Sequence, residues 1–228
     1  MVGVLPLFFV GATVCSGLLF ASPVDEIWKM QETGSSNGKS YLPVVCMWMN
    51  CCLWGFYGGQ QRIPVMLLVN LIGCVLNTYY ITVWLAVVRG AEKVQVLCAL
   101  LVAGGLTGWV ALYAYDISTG SSAGLLGIHE LKDTNYLPLF GCVMTVVMFA
   151  SPLVQMRKVL RERNASYFNF KLMMMSVANC VCWVGLGVIY SDLYMLVPNA
   201  LGLLLSLVQV ALYFKFPAKP SSGMPMPI

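Results

Sequence analysis

Phe20-Ala21-Ser22-Pro23 recurs 129 residues later as Phe149-Ala150-Ser151-Pro152. Further matches at the same offset are Asn50-Cys51 with Asn179-Cys180, Trp54 with Trp183, Gly58 with Gly187, Asn70 with Asn199, and Gly73 with Gly202. Chance identities would scatter over many offsets. A single offset therefore indicates that the chain contains an internal duplication.

The composition of the 228-residue chain is that of a membrane protein. Hydrophobic residues make up 59% of it, charged residues 10%, and the mean hydropathy is +0.80. Soluble domains contain about 25% charged residues, and the apolar runs here approach the ~20 residues that span a bilayer. We predict an all-α membrane protein with seven transmembrane helices, at 4–21, 42–59, 63–88, 94–115, 136–156, 168–190 and 193–216.

The basic residues of the predicted loops indicate the orientation. Of the thirteen lysines and arginines, only Arg62 and Lys132 lie on one side of the membrane, which we call the outer side. Cytosolic loops carry the excess of basic residues, so the N-terminus is predicted to be extracellular or lumenal and the C-terminus cytosolic. The sequence leaves open a plasma-membrane or an internal, Golgi or vesicular, location.

Each repeat contains three predicted spans, and the fourth span has no counterpart. Because three crossings reverse the chain, the fourth returns it to the side from which the first repeat starts, and the repeats are predicted to be parallel. The predicted division is a first three-helix repeat (1–90), a linker helix (91–118), an external loop (119–135), a second three-helix repeat (136–216) and a disordered cytosolic tail (217–228).

Asn70 and Asn199 are polar residues inside apolar spans. Burying an amide without a partner costs about 2–7 kcal/mol, so each needs a hydrogen-bond partner or a wet cavity. A hydrogen bond to a neighbouring helix is the ordinary explanation for one isolated asparagine in a membrane span. Equivalent positions in two repeats instead favour a polar ligand that both amides share.

Trp54 and Trp183 form a second matched pair. Trp54 is about 18 Å from the inner end of its predicted span and Asn70 about 11 Å from the outer end of the next, depths that coincide in a core of about 30 Å. An indole face beside an amide suits a sugar ring, which has apolar C–H faces and hydroxyls. Packing in the core is the alternative explanation for both indoles.

Residues at the two ends of the predicted spans are candidate gates. Pro23, Pro43 and Pro152 lie at inner ends, where a missing N–H makes a natural pivot, although proline also punctuates helices in general. Tyr57 and Asp192 lie at outer ends, where a phenol–carboxylate hydrogen bond would close a vestibule. An aromatic-belt tyrosine and a solvated aspartate are the alternatives.

Several kinds of chemistry find no support in the sequence. No Asp, Glu or Lys lies in the middle of a predicted span, which favours facilitated diffusion over ion-coupled pumping. No nucleophile–base pair, phosphate loop or Cys/His metal spacing is visible, so we predict neither an enzyme nor a metal, cofactor or disulfide. The net charge of +4 does not come from a basic face with interleaved aromatics, so nucleic acid is not a predicted partner.

The motifs of the chain, from Phe20 to Tyr213, resemble those of the SWEET sugar transporters. The resemblance implies that the helices of each repeat pack in the order first, third, second, as two three-helix bundles joined by a linker helix, and that the protein forms homo-oligomers. The stretches that carry it are Ala21-Ser22-Pro23, Leu42-Pro43, Asn50-Cys51 through Tyr57-Gly58, Val69-Asn70-Leu71-Ile72-Gly73, Phe149-Ala150-Ser151-Pro152-Leu153 and Val197-Pro198-Asn199-Ala200-Leu201-Gly202.

The resemblance also assigns roles to the candidate residues. Asn70, Asn199, Trp54 and Trp183 match the sugar-binding positions, Tyr57 and Asp192 match the outer gate, and Pro23, Pro43, Pro152 and Asn169 match the hinges of the inner gate. Two positions depart from the family pattern. Asn169 stands where the family usually has a fourth proline, and Asn77 stands where plant members often carry Glu.

We therefore predict a facilitative, bidirectional sugar uniporter that works by alternating access in a lipid bilayer. Two indoles beside two amides suggest a tight cavity, which favours a monosaccharide such as glucose over sucrose. One alternative is an amino-acid carrier of PQ-loop type, in which Pro-Gln is expected where this chain has Pro23-Val24 and Pro152-Leu153. The other is a non-transporting membrane receptor or adaptor, in which charges in the middle of the spans are expected.

Overall fold

The computed structural model describes residues 3–36, 38–119 and 136–216. The predicted tail and, apart from Thr119, the predicted external loop lie outside the described residues. All regular structure within the described ranges is helical. The elements are α1 (Leu5–Ala21), α2 (Val24–Thr33), α3 (Leu42–Gln60), α4 (Pro64–Val87), α5 (Gly90–Thr119), α6 (Tyr136–Met148), α7 (Ala150–Glu162), a 3₁₀ turn (Ala165–Tyr167), α8 (Phe170–Ile189) and α9 (Leu193–Lys215).

The helices are long and apolar enough to make this a multi-pass integral membrane protein. Six helical stretches among the described residues meet the length and hydropathy expected of a membrane span. The one remaining predicted span, 42–59, corresponds to α3. This helix has 19 residues but is less apolar because it carries Asn50, Trp54 and Tyr57. The predicted all-α membrane fold is thus confirmed.

The first helix of each repeat continues past its predicted inner end. α1 is followed by α2 after a two-residue break at Ser22-Pro23, and α6 is followed by α7 after Phe149. The prolines therefore begin a second helical segment, because the first turn of a helix tolerates a residue without an N–H. The α2 side chains Ile27 and Met30 are buried against Tyr80 and Trp84 of α4.

The third helix of each repeat packs on both of its partners through a glycine. A Cβ at Gly73 of α4 would lie 2.5 Å from the Cys51 sulfur on α3 and 2.9 Å from the Phe20 ring on α1. In the second repeat, a Cβ at Gly202 of α9 would lie 3.2 Å from the Cys180 sulfur and 3.3 Å from the Phe149 ring. These contacts place the third helix between the first and the second, which is the predicted order.

Helix contacts group the chain into two compact units that differ from the two sequence repeats. The α3–α6 unit is Ser16–Met148, and the α7–α9 unit comprises the described residues of Met1–Cys15 and Phe149–Ile228. Within the α3–α6 unit, α6, which belongs to the second repeat, packs on α3 of the first repeat. In the other, the outer part of α1 packs on α8, where Phe8 contacts Gly185.

Asn169 begins α8 with a side-chain cap. Its Oδ1 accepts a hydrogen bond from the Leu172 N–H at 3.2 Å, and Asn169 is the residue before the helix. Ser166-Tyr167-Phe168-Asn169 resembles Ser40-Tyr41-Leu42-Pro43, which leads into α3 with Pro43 in the first helical turn. The two repeats thus start their second helix by different means, a capping amide in one and a fixed backbone angle in the other.

The cap predicts the effect of changing Asn169. The Asn169→Ala variant is expected to lose about 1 kcal/mol of stability, because the Leu172 N–H loses its acceptor. Asn169→Asp keeps an acceptor at the same place and is the matched control. Thermal unfolding of both purified variants in detergent checks this, and equal melting temperatures for Asn169→Ala and the wild type would contradict the capping role.

Candidate functional site

Asn70 and Asn199 occupy equivalent places on α4 and α9, and their amides are held in the same way. The Asn70 side-chain N–H donates to the Met66 carbonyl oxygen at 2.8 Å, and that of Asn199 donates to the Met195 carbonyl oxygen at 2.7 Å. Asn70 is buried and Asn199 is half-buried. Each bond fixes the amide on its own helix, and a primary amide retains further capacity for a ligand because it has two donor hydrogens and an acceptor oxygen.

Asn77 is held by the same type of bond as Asn70. It lies two turns further along α4, is 3% exposed, and donates from its side-chain N–H to the Gly73 carbonyl oxygen at 2.8 Å. Bonding to the preceding turn is therefore a general way of satisfying buried asparagines in this helix and does not itself mark a ligand site. Asn77 provides an internal comparison for Asn70.

The Trp54 indole is buried where α6 packs on α3. Its ring faces Gly141, at which a Cβ would lie only 3.1 Å from ring atom Cε2, so a larger residue would displace the indole. The indole N–H donates to the Thr145 hydroxyl oxygen at 3.1 Å. The Thr145 hydroxyl lies 3.1 Å from Asn50 Oδ1 and 2.9 Å from the Gly141 carbonyl oxygen, either of which can accept its single proton.

The predicted outer-gate residues are placed in different units. Tyr57 is buried, and its ring packs edge-on against Trp54 with 5.8 Å between the centroids. Asp192 precedes α9 and caps it, since its Oδ1 accepts from the Met195 N–H at 3.1 Å. Both residues thus have structural roles inside their own unit, and the Tyr57–Asp192 gate stays a prediction.

The remaining predicted site residues lie on the expected elements. Trp183 is buried on α8, the second helix of its repeat, as Trp54 is on α3. Pro23 directly precedes α2, and Pro43 and Pro152 lie in the first turns of α3 and α7. All three prolines therefore stand where one helical segment begins.

A cavity of about 580 Å³ opens between α3 and α4 within the α3–α6 unit. Asn70 is part of its wall, but most of the lining is apolar, which suits an acyl chain better than a sugar. The thiols of Cys52 and Cys74, which both line it, are in contact with 3.6 Å between the sulfurs. The lining residues are Cys51, Cys52, Gly55, Phe56, Gly59, Gln60, Leu67, Asn70, Leu71 and Cys74.

Comparison with known proteins assigns the family. The family model described as "Sugar efflux transporter for intercellular exchange" matches residues 6–91 and again 135–221. The chain belongs to this sugar efflux transporter family. The two matches correspond to the two repeats of the sequence, which independently supports the duplication.

Named relatives of the sugar efflux transporter family resemble the chain over most of its length. Sugar transporter SWEET1 of Xenopus laevis is 30% identical over 203 residues, which cover 89% of this chain and 88% of that protein. Bidirectional sugar transporter SWEET15 of Oryza sativa subsp. indica is 27% identical over 217 residues. That match covers 93% of this chain, which spans only 64% of the length of the rice protein.

A solved structure has the same fold. The 3.7 Å resolution structure of a eukaryotic SWEET transporter superposes with a TM-score of 0.75 at 21% sequence identity. The match covers 92% of this chain and 98% of that one. It confirms the helical architecture expected of the sugar efflux transporter family.

Thr145 is the residue of this site that the sequence motifs did not reveal. It bridges Asn50 and Trp54, and the three residues come from α6 and α3, about ninety positions apart in the chain. The signal that could have found it is the repeat offset, which relates Thr145 to Ser16. A search for identities passes over this pair because the two residues share a hydroxyl group but not a name.

Proposed function

We propose that this chain is a facilitative, bidirectional sugar transporter. The observation that carries the proposal is the pair of buried or half-buried amides at equivalent positions of two repeats, each of which matches the family model. The proteins named for their activity among the relatives are sugar transporters, and transport changes no covalent bond, so no enzymatic activity is included. A uniporter needs only a site that is exposed alternately to the two sides of the membrane.

The proposed substrate site is formed by residues of both repeats near the middle of the membrane. Asn70 and Asn199 donate and accept hydrogen bonds with sugar hydroxyls, while Trp54 and Trp183 offer indole faces to the C–H faces of the ring. Support comes from their equivalence at one offset and from their place on the third and second helices of each repeat. A pocket flanked by two indoles favours a monosaccharide such as glucose.

The proposed gates use the residues at the two ends of the helices. Tyr57 and Asp192 close the outer side, and Pro23, Pro43 and Pro152 allow the helices to bend at the inner side. Asn169 takes the fourth hinge position but caps its helix. Bending there would require the hydrogen bond from the Leu172 N–H to Asn169 Oδ1 to lengthen or break. We expect this hinge to be the stiffest of the four.

The proposal includes the setting of the protein. The predicted three-helix repeats, with a linker helix between them, lie in the plasma membrane or an internal membrane with the N-terminus extracellular or lumenal and the C-terminus cytosolic. Support for this orientation comes from the unequal distribution of lysines and arginines over the loops. The protein is proposed to form homo-oligomers in which each protomer has its own substrate path.

Uptake of radiolabelled glucose into proteoliposomes tests the proposed function. We expect uptake down the glucose gradient that is unchanged by an imposed pH gradient, because no Asp, Glu or Lys lies mid-span to carry a proton. Galactose, fructose, sucrose and a mixture of amino acids serve as alternative substrates. Uptake of amino acids alone, or of nothing by folded protein, would contradict the proposal and favour an amino-acid carrier or a receptor.

A further inference from the structure

The hydrogen bonds of Thr145 join the two repeats. Thr145 lies on α6, in the first helix of the second repeat, whereas Asn50 and Trp54 lie on α3, the second helix of the first repeat. Any movement that separates α6 from α3 must therefore break the bond from Trp54, and also the bond to Asn50 when Thr145 donates to Asn50 rather than to the Gly141 carbonyl oxygen. The polar groups that such a movement releases are an indole N–H and an amide oxygen, which then need new partners.

A sugar hydroxyl is chemically equivalent to the Thr145 hydroxyl at this place. Each can accept one hydrogen bond from the Trp54 N–H and donate one to Asn50 Oδ1 at the same time. Trp54 is buried, with its ring against Gly141, so a replacement must satisfy both groups. Neither an apolar side chain nor a cation can do so.

We propose that Thr145 acts as an internal competitor for the substrate. Its hydroxyl occupies, in the empty carrier, the hydrogen-bonding positions on Asn50 and Trp54 that a sugar hydroxyl takes in the loaded carrier. Exchange of one hydroxyl for the other keeps the buried Trp54 N–H and the half-buried Asn50 oxygen bonded in each state, which lowers the cost of separating α6 from α3. Thr145 is thus a specificity-determining residue for ligands that carry hydroxyl groups, and the inference rests on the proposed sugar transport.

The equivalent positions at the 129-residue offset also carry an asparagine, a tryptophan and a hydroxyl residue. The offset that relates Asn50 to Asn179 and Trp54 to Trp183 also relates Thr145 to Ser16. Ser16 is buried, at 3% exposure. If competition with the substrate is a property of the duplicated three-helix unit, a hydroxyl residue is expected at this position in both repeats.

The test compares the Thr145→Val and Thr145→Ser variants of the full chain. Valine has nearly the shape of threonine but cannot bond to Asn50 or Trp54, so glucose no longer competes with a hydroxyl. We expect Thr145→Val to bind glucose about fivefold more tightly than the wild type, the equivalent of one hydrogen bond, and Thr145→Ser to remain within about twofold. Glucose affinity is measured on the purified protein as the dissociation constant from isothermal titration calorimetry.

Pairing the substitution with Asn50→Ala separates competition from a general structural effect. Without the Asn50 oxygen only the Trp54 N–H is left to compete for, so adding Thr145→Val to Asn50→Ala should raise glucose affinity by clearly less than it does in the wild-type background. Weaker or unchanged binding by Thr145→Val, or an equal gain in the Asn50→Ala background, would overturn the inference while leaving the proposed function intact. Absence of binding by wild-type protein to any sugar of the panel would overturn both.

Discussion

Alanine at Asn70 or at Asn199 is expected to reduce glucose uptake by at least tenfold. A sugar hydroxyl that loses its amide partner in a buried site is left unsatisfied, which costs about 1–3 kcal/mol. If the two repeats contribute equally, each single variant has the same effect, and the double variant lowers uptake at least as much as either of them. Uptake into proteoliposomes at matched protein density measures all three.

Asn77→Ala is the matched control for this prediction. Asn77 is as well buried as Asn70 and makes the same bond to the preceding turn of α4, so its loss has the same cost for the helix. It has no counterpart at the 129-residue offset, since position 206 is Ser. Retained uptake in Asn77→Ala with loss in Asn70→Ala supports a substrate role, and equal loss in both would show that the amides are structural.

Gly58→Ala and Gly187→Ala are expected to be the most destabilising small substitutions in the described helices. A Cβ at Gly58 would lie 2.9 Å from the Leu67 backbone nitrogen, and one at Gly187 would lie 2.9 Å from the Leu196 Cα. Backbone cannot rotate away, so the two packed helices must separate. We expect a loss of about 2 kcal/mol from each and a melting temperature about 5 °C lower in detergent.

Gly59→Ala distinguishes this clash from a general intolerance of alanine. Gly59 is the next residue of α3, and nothing lies within 4 Å of the Cβ position there. Alanine is also the better helix former, so Gly59→Ala should unfold at the wild-type temperature or slightly above it. A fall in Gly59→Ala equal to that in Gly58→Ala would contradict the packing explanation.

The sequence was sufficient to predict the fold because the duplication constrains it strongly. One offset identifies Gly73 with Gly202 and Gly58 with Gly187, and the structure shows each pair in the same type of close helix contact. Small residues at matched positions thus indicate directly where two helices pack closely. Residues with large side chains are less informative, since Trp54 could be interpreted equally as core or as binding site.

Other features depended on relations that no local pattern contains. The first and fifth predicted spans end at 21 and 156, with no further helix predicted beyond them. Proline can end a helix as well as begin one, and only the contacts of Ile27 and Met30 with α4 show that α2 is a packed helix. The bridge at Thr145 depends on a partner about ninety residues away. The cap of Asn169 was detectable in principle, because asparagine is a favoured residue before a helix.

The most direct test of the account is counterflow of glucose through the reconstituted protein. Proteoliposomes loaded with unlabelled glucose are diluted into a small amount of labelled glucose, and the label inside is followed with time. A carrier whose single site faces the two sides alternately will accumulate label transiently above its equilibrium level. The reason is that unlabelled glucose inside competes with the label for the site on the way out. We predict this overshoot in the wild type at any pH gradient; label that enters only to equilibrium, without an overshoot, or does not enter at all, would contradict the alternating-access account.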